Sequence, residues 1–163
     1  MIEKIDKHAV LAAIRARLAE EIAMMTRLAL DAAAAASHEE NKPENDKDMR
    51  STEASYVARG QAERARDLDR AHALLGSLEL RDFGPSDPIA AGALIELRHR
   101  GATSVCLLVP AGGGERVKIE GAEVQAVTPT SPLGAALLGL VEEDEVEVRT
   151  PQGTKLYEIV RVR

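Results

Sequence analysis

The chain has 163 residues and a formal net charge of −6, which argues against a free-standing nucleic-acid binder, since such proteins are normally basic. Aromatic residues make up only 2% (Phe83, Tyr56 and Tyr157, with no tryptophan), so the core must be aliphatic and a base-stacking platform is not expected. The single cysteine, Cys106, excludes an internal disulfide, and no Cys/His cluster has zinc-site spacing.

The N-terminus lacks a signal-peptide core and no run approaches membrane-spanning length, so a soluble, cytoplasmic protein without membrane contact is expected. From Glu3 to Ser37 there is no Gly or Pro. Apolar residues recur at Leu11, Ile14, Leu18, Met25, Leu28, Ala32 and Ala35, with Glu21 interrupting the seam. That 3-4 spacing predicts a coiled-coil-like helix, with Asp6 as a cap near its start. Pro43 ends it or lies just past its end, within a polar turn of about fifteen residues. A second helix is predicted from Ser51 to Leu78, with the stripe Val57, Gln61, Ala65, Leu68, His72, Leu75 and Leu78 running through Gly60. Two such stripes joined by one turn bury themselves against each other, so an antiparallel hairpin is expected. At 1.5 Å per residue, arms of about 28 residues extend roughly 40 Å. A 3-4 stripe can also pair between chains, but a monomer is the expectation.

Arg81 to Asp87, RDFGPSD, breaks the helix and reads as a linker. Beyond it the period changes to two, or to short apolar runs, at Ala93–Leu97, Val105–Val109, Glu123–Val127, Glu145–Val148 and Leu156–Val162. Cys106 falls inside one of these runs and is expected to be buried. Glycines at 101, 112 to 114, 121 and 153 mark turns. Five strands with one short helix, Pro132 to Gly139, predict a small antiparallel α+β domain over residues 88–163. The expected organisation is a helical hairpin at 1–80 with its tip near 38–52, a linker at 81–87, and the β domain.

The tip is acidic: Glu39, Glu40, Glu44, Asp46 and Asp48 against Lys42 and Lys47 give a formal −3. Such a run is either a solvated turn or a source of hard oxygen ligands for a divalent cation. Arg59, Arg66 and Arg70 share one side of the second helix, with Arg64 not far off. They either track phosphates or form a solvated face paired with Glu63, Asp67 and Asp69. The histidines at 8, 38, 72 and 99 show no ligand spacing, although His38 stands beside the tip acids. Ser131 before Pro132 reads as a helix cap, and the glycines at 112 to 114, lacking the Lys-Ser/Thr of a phosphate loop, read as a strand-connecting turn.

The most specific pattern lies at Val127 to Val162, VTPTSPLGAALLGLVEEDEVEVRTPQGTKLYEIVRV. A Ser-Pro-Leu-Gly turn (Ser131 to Gly134) opens an apolar run, and an acidic bend at Glu142 to Asp144 leads into Val146 and Val148. A Pro-Gln-Gly turn (Pro151 to Gly153) then feeds the last strand. This resembles the end of the GreA/GreB transcript-cleavage factors, whose pattern is SPxGxAL, GDEV and TPxGxxxYEI in that order. GALIEL at Gly92 to Leu97 and the Ala-x-Tyr at Ala54 to Tyr56 are further similarities.

The resemblance implies a coiled-coil hairpin followed by an FKBP-like domain, with bacterial RNA polymerase as partner. The hairpin tip would enter the polymerase secondary channel, where its acids help hold Mg²⁺ shared with the polymerase active site, so that backtracked RNA is cut. The protein would have no catalytic activity and no cofactor of its own, and would meet nascent RNA only within the polymerase complex. The family tip reads GD-x-x-ENAEY; here the residues before Tyr56 are DMRSTEAS, so Thr52 stands at the family Glu and Met49 at the family Asp. Asp48 and Glu53 are each displaced by one residue, while Glu44 and Asn45 match in a second register, with Asp46 beside them. Asp48, Glu53, Glu44 and Asp46 are therefore the candidate tip ligands. By analogy, Ser131, Pro132, Leu133, Gly134 and Leu137 face the polymerase, and Arg59, Arg66 and Arg70 meet RNA or the channel wall. The alternatives are a channel-binding inhibitor without cleavage stimulation, or a peptidyl-prolyl isomerase of FKBP type. The second needs an aromatic-lined pocket, for which only Tyr157 and the linker residue Phe83 are available.

Overall fold

The computed structural model describes the backbone of residues 2–40 and 46–163, and the side chains of residues 2–38 and 52–163. A 3-10 turn at Ile2–Lys4 leads into helix α1, Lys7–Glu40, and helix α2 covers Asp46–Gly76. Six strands follow: β1 Leu94–His99, β2 Ala102–Leu108, β3 Arg116–Ile119, β4 Ala122–Val127, β5 Glu145–Thr150 and β6 Gly153–Val162, with the short helix α3, Pro132–Leu137, between β4 and β5. The expected α+β organisation is observed: two long helices, then a sheet with one short helix.

Asp6 caps α1 as expected, its carboxylate accepting the His8 N–H at 2.9 Å. α2 begins five residues before the predicted start. Residues 46–50 contain neither Gly nor Pro to stop the helix. Gly60 is accommodated inside α2, where a side chain would meet open space. The Arg15 guanidinium lies beside Gly76, and further along α1 Glu21 pairs with Arg64 at 3.3 Å, so the two helices run antiparallel.

By packing, the chain divides into two compact units, Arg17–Arg70 on the one hand and Met1–Ala16 with Ala71–Arg163 on the other. In the first, Leu18, Ala36 and Leu68 are the buried apolar side chains among the described residues. In the second, the strand order is β3-β4-β2-β1-β6-β5. The sheet is mixed, and not wholly antiparallel as expected: β2 and β4 run parallel. The sequence reading overlooked β3, whose four residues, RVKI, carry two cations and give too short an alternation to register. This strand produces the parallel pairing. The chain leaves β2, forms β3 at the sheet edge, and returns as β4 between the two.

Ile95, Leu97, Cys106, Leu108, Val127 and Ile159 form the core on one face, joined by Leu137 of α3 and by Ile89 and Phe83. Leu94 and Leu107, which alternate with them, are also fully buried, so the centre of the sheet is covered on both faces. Full burial of each such aliphatic side chain contributes about 1.5–3 kcal/mol. The Ile2–Lys4 turn packs against β1. Arg163 fastens it by donating to the carbonyls of Ile2, Glu3 and Ile5 at 3.2, 2.8 and 3.1 Å.

Residues 81–87 hold no helix or strand, but they are anchored: Phe83 is buried, and the Asp87 carboxylate accepts the Gly84 N–H at 2.9 Å. That bond holds the Asp87 carboxyl below the usual range. The Arg81 guanidinium lies 3.8 Å from the Phe83 ring centroid. Buried Lys7 donates to the carbonyls of Arg81 and Gly92, and burial lowers its pKa.

Cys106 is only 3% exposed, and burial pushes its thiol up to about 12. The native chain is therefore expected to resist dithionitrobenzoate at pH 8 and to release one equivalent of thiol in urea. Rapid reaction of the native chain would contradict this packing.

Candidate partner-binding site in the C-terminal domain

The turn into α3 is built around Ser131. Its backbone is extended, with φ −78° and ψ 153°, and its Oγ accepts the Gly134 N–H at 3.1 Å. The same hydroxyl donates to the Thr128 carbonyl at 2.8 Å, and Pro132 occupies the first turn, where no N–H is needed. This is the cap predicted for Ser131. Pro132 is exposed and Leu133 half-buried against the core cluster.

Two residues expected at a partner surface are interior instead. Gly134 is buried, with the place of a Cβ filled by the Thr128 carbonyl oxygen, and Leu137 is 0% exposed within the core. The reason is helical phase: starting at Pro132, position 137 turns inward and Leu138, at the C-cap, turns out with half its surface exposed. Leu138, which the sequence reading passed over, is the exposed apolar residue of this segment.

Beside this turn lies a groove of about 760 Å³. Gly112, Gly113 and Gly114 form one wall, and Val127, Leu133, Val148 and Tyr157 supply apolar surface. Gly112 and Gly114 have φ of 74° and 96°, which favours glycine, and Gly113 packs tightly on Thr128. Tyr157 leans on His99, ring centroids 5.1 Å apart, while His99 Nδ1 donates to the Leu156 carbonyl at 2.7 Å. The sequence reading took the glycines only as a connection between strands, and no local signal ties them to the Ser-Pro-Leu-Gly turn.

At the other candidate site, Asp46 and Asp48 lie in the first turn of α2, and Glu39 and Glu40 at the end of α1; their side chains, and Glu44 altogether, lie outside the described residues. Glu53 is exposed on α2. No group of His, Cys, Asp and Glu suited to a metal ion occurs among the described residues. Arg59, Arg66 and Arg70 are all exposed. Arg66 donates to the Ala62 carbonyl at 3.3 Å, and Arg70 pairs with Asp67 at 3.3 Å. Exposed pairs of this kind contribute about 0–1 kcal/mol.

Residues 114–163, from the end of the glycine wall through β6, match the family model described as "Transcription elongation factor, GreA/GreB, C-term". Over these residues the chain is similar to the GreA/GreB C-terminal domain. The match spans β3, β4, α3, β5 and β6, and so includes both the capped turn and most of the groove. No curated protein sequence matches. Among solved structures, Gfh1 of Thermus aquaticus is 21% identical, with 96% of this chain and 91% of that chain covered and a TM-score of 0.39. The GreA factor homolog 1 (Gfh1) of Thermus thermophilus is 17% identical over 91% of this chain and 94% of its own, with a TM-score of 0.39. A prokaryotic transcription elongation factor GreA/GreB from Nitrosomonas europaea is 26% identical, with 58% and 78% covered and a TM-score of 0.36.

Proposed function

We propose that this Gre-like chain is an accessory factor of bacterial RNA polymerase whose hairpin tip enters the secondary channel and stimulates the polymerase's own cleavage of backtracked RNA. The observation that carries the reading is the similarity to the GreA/GreB C-terminal domain at residues 114–163. Two long helices on either side of an acidic segment, formally −3, support it. Mg²⁺ is held by oxygen ligands, and phosphoryl transfer at two metals gains from carboxylates that fix the second ion and orient water. Asp48 and Glu53 are the first candidates for that task, with Glu44 and Asp46 beside them. Ser131, Pro132 and Leu133 form the polymerase-facing turn together with Leu138, while Gly134 and Leu137 shape it from within. Arg59, Arg66 and Arg70 contact RNA or the channel wall. The protein acts without its own catalysis or cofactor, as a cytoplasmic monomer.

One observation favours the second reading, a channel-binding inhibitor. α2 is already helical at Asp46, and positions 48 and 53 on one helix stand roughly 140° apart at 3.6 residues per turn. The two positions then lie on different sides of α2, which suits a tip that occupies the channel without offering a pair of ligands to one metal.

The test is RNA cleavage by a stalled, backtracked polymerase complex over a magnesium titration, with and without the protein. Acceleration that is steepest at low magnesium is expected, and the Asp48→Ala/Glu53→Ala double variant is expected to bind polymerase but fall to the unstimulated rate. Binding with slowed elongation and no cleavage would replace stimulation by inhibition. No binding would remove both readings.

A further inference from the structure

The groove beside α3 has chemistry that the tip does not use. None of its lining side chains is charged, in a chain where 29% of residues are. Its serine and threonine hydroxyls are engaged within the protein. Ser131 bonds Thr128 O, Thr128 and Thr130 meet at 3.0 Å, and Thr150 donates to the Gly153 carbonyl at 2.8 Å. Two polar side chains remain: the Gln125 amide and the Tyr157 hydroxyl are half-buried in the lining, and neither has a hydrogen-bond partner among the described residues. The register of β4 puts Gln125 opposite Cys106, on the core face with Val127, so its amide belongs to the groove side of the sheet.

These features select a ligand class. A phosphate or a charged side chain would lose its water and find no counter-charge in the lining. An apolar floor of Val127, Val148 and Tyr157 takes a small aliphatic group. A wall of three glycines exposes main chain with no side chain to keep a second backbone away. An unpaired amide, with donor and acceptor side by side, matches a peptide group. We propose that this groove binds a short, uncharged, extended peptide segment of a partner protein, its main chain along Gly112–Gly114 and one peptide group held by Gln125. The groove shares Ser131, Pro132 and Leu133 with the proposed polymerase-facing turn, but peptide binding is measured on the full chain alone, so its failure is distinguishable from failure of the polymerase reading.

The experiment is a titration of the ¹⁵N-labelled full chain with the capped peptide acetyl-Gly-Val-Ala-Gly-amide and its Val→Glu and Val→Lys counterparts. The neutral peptide is expected to shift the amides of Gly112, Gly113, Gln125, Val148 and Tyr157 saturably. The charged peptides are expected to bind about tenfold more weakly or worse. Gln125→Ala is expected to weaken the neutral peptide about tenfold, and Tyr157→Phe less, with both variants keeping the native spectrum elsewhere. No saturable shift by about 10 mM, equal binding of a charged peptide, or full affinity in Gln125→Ala would each overturn the proposal.

Discussion

Replacing Gly134 by alanine is expected to destabilise the C-terminal domain by about 3 kcal/mol, the upper end for overpacking. A Cβ built there falls 1.9 Å from the Thr128 carbonyl oxygen, 2.6 Å from its carbon and 3.0 Å from Val127 Cγ1. The first two are main-chain atoms and cannot swing aside. The oxygen is also held in place, accepting the Ser131 N–H at 3.0 Å and the Ser131 hydroxyl at 2.8 Å. Relief therefore means breaking the cap or lifting α3 from the sheet. Urea unfolding followed by circular dichroism measures the loss. A change below about 1 kcal/mol would show that the turn yields, and that the close approach is not what requires glycine here. Gly139→Ala is a useful control: that site has open space but a φ of 82°, so only backbone strain of roughly 1–2 kcal/mol opposes the methyl group.

The second large effect separates two neighbouring leucines. Leu137→Ala is expected to destabilise the chain by about 3 kcal/mol, because its fully buried side chain leaves a cavity among Ile95, Ile159 and their neighbours. Leu138→Ala, with half of its side chain in solvent, is expected to change stability by about 0.5 kcal/mol or less. Polymerase binding should reverse the order once both variants are compared well below their unfolding transitions. Leu138→Ala then weakens binding, and Leu137→Ala does so only as far as it unfolds the domain. Equal stability losses would mean that α3 sits in a different phase on the sheet.

Those two leucines also show what sequence could and could not reveal. The run AALLG marks an apolar helix end, but choosing between Leu137 and Leu138 needs the point where the helix begins and the direction of the sheet beneath it. The long helices were legible because a 3-4 stripe repeats many times over. Their inner ends were not, since SHEENKPENDKDMRS reads as a turn by polarity while residues 37–40 and 46–51 have helical backbone. The strands were found by alternation, except β3, whose charged residues hide it. The parallel partner of β2 was out of reach, because pairing depends on which strands become neighbours. The groove was equally hidden: its wall, its amide and its aromatic ring come from residues 112–114, 125 and 157, which no local pattern connects. The tip ligands rest on family likeness and charge alone.

The place of β1 in the sheet bears on how the domain is made during translation. β1 pairs on one side with β2, its immediate successor, and on the other with β6, where Ile95 meets Val162. Leu94 and Arg163 then exchange both of their main-chain hydrogen bonds at 2.9 Å. As the chain emerges, the β1–β2 hairpin can form early, but one edge of β1 stays open until the domain's final strand has left the ribosome. Every nascent copy thus passes through a stage that displays an apolar, unpaired edge, the kind of surface on which chaperones act and aggregates start.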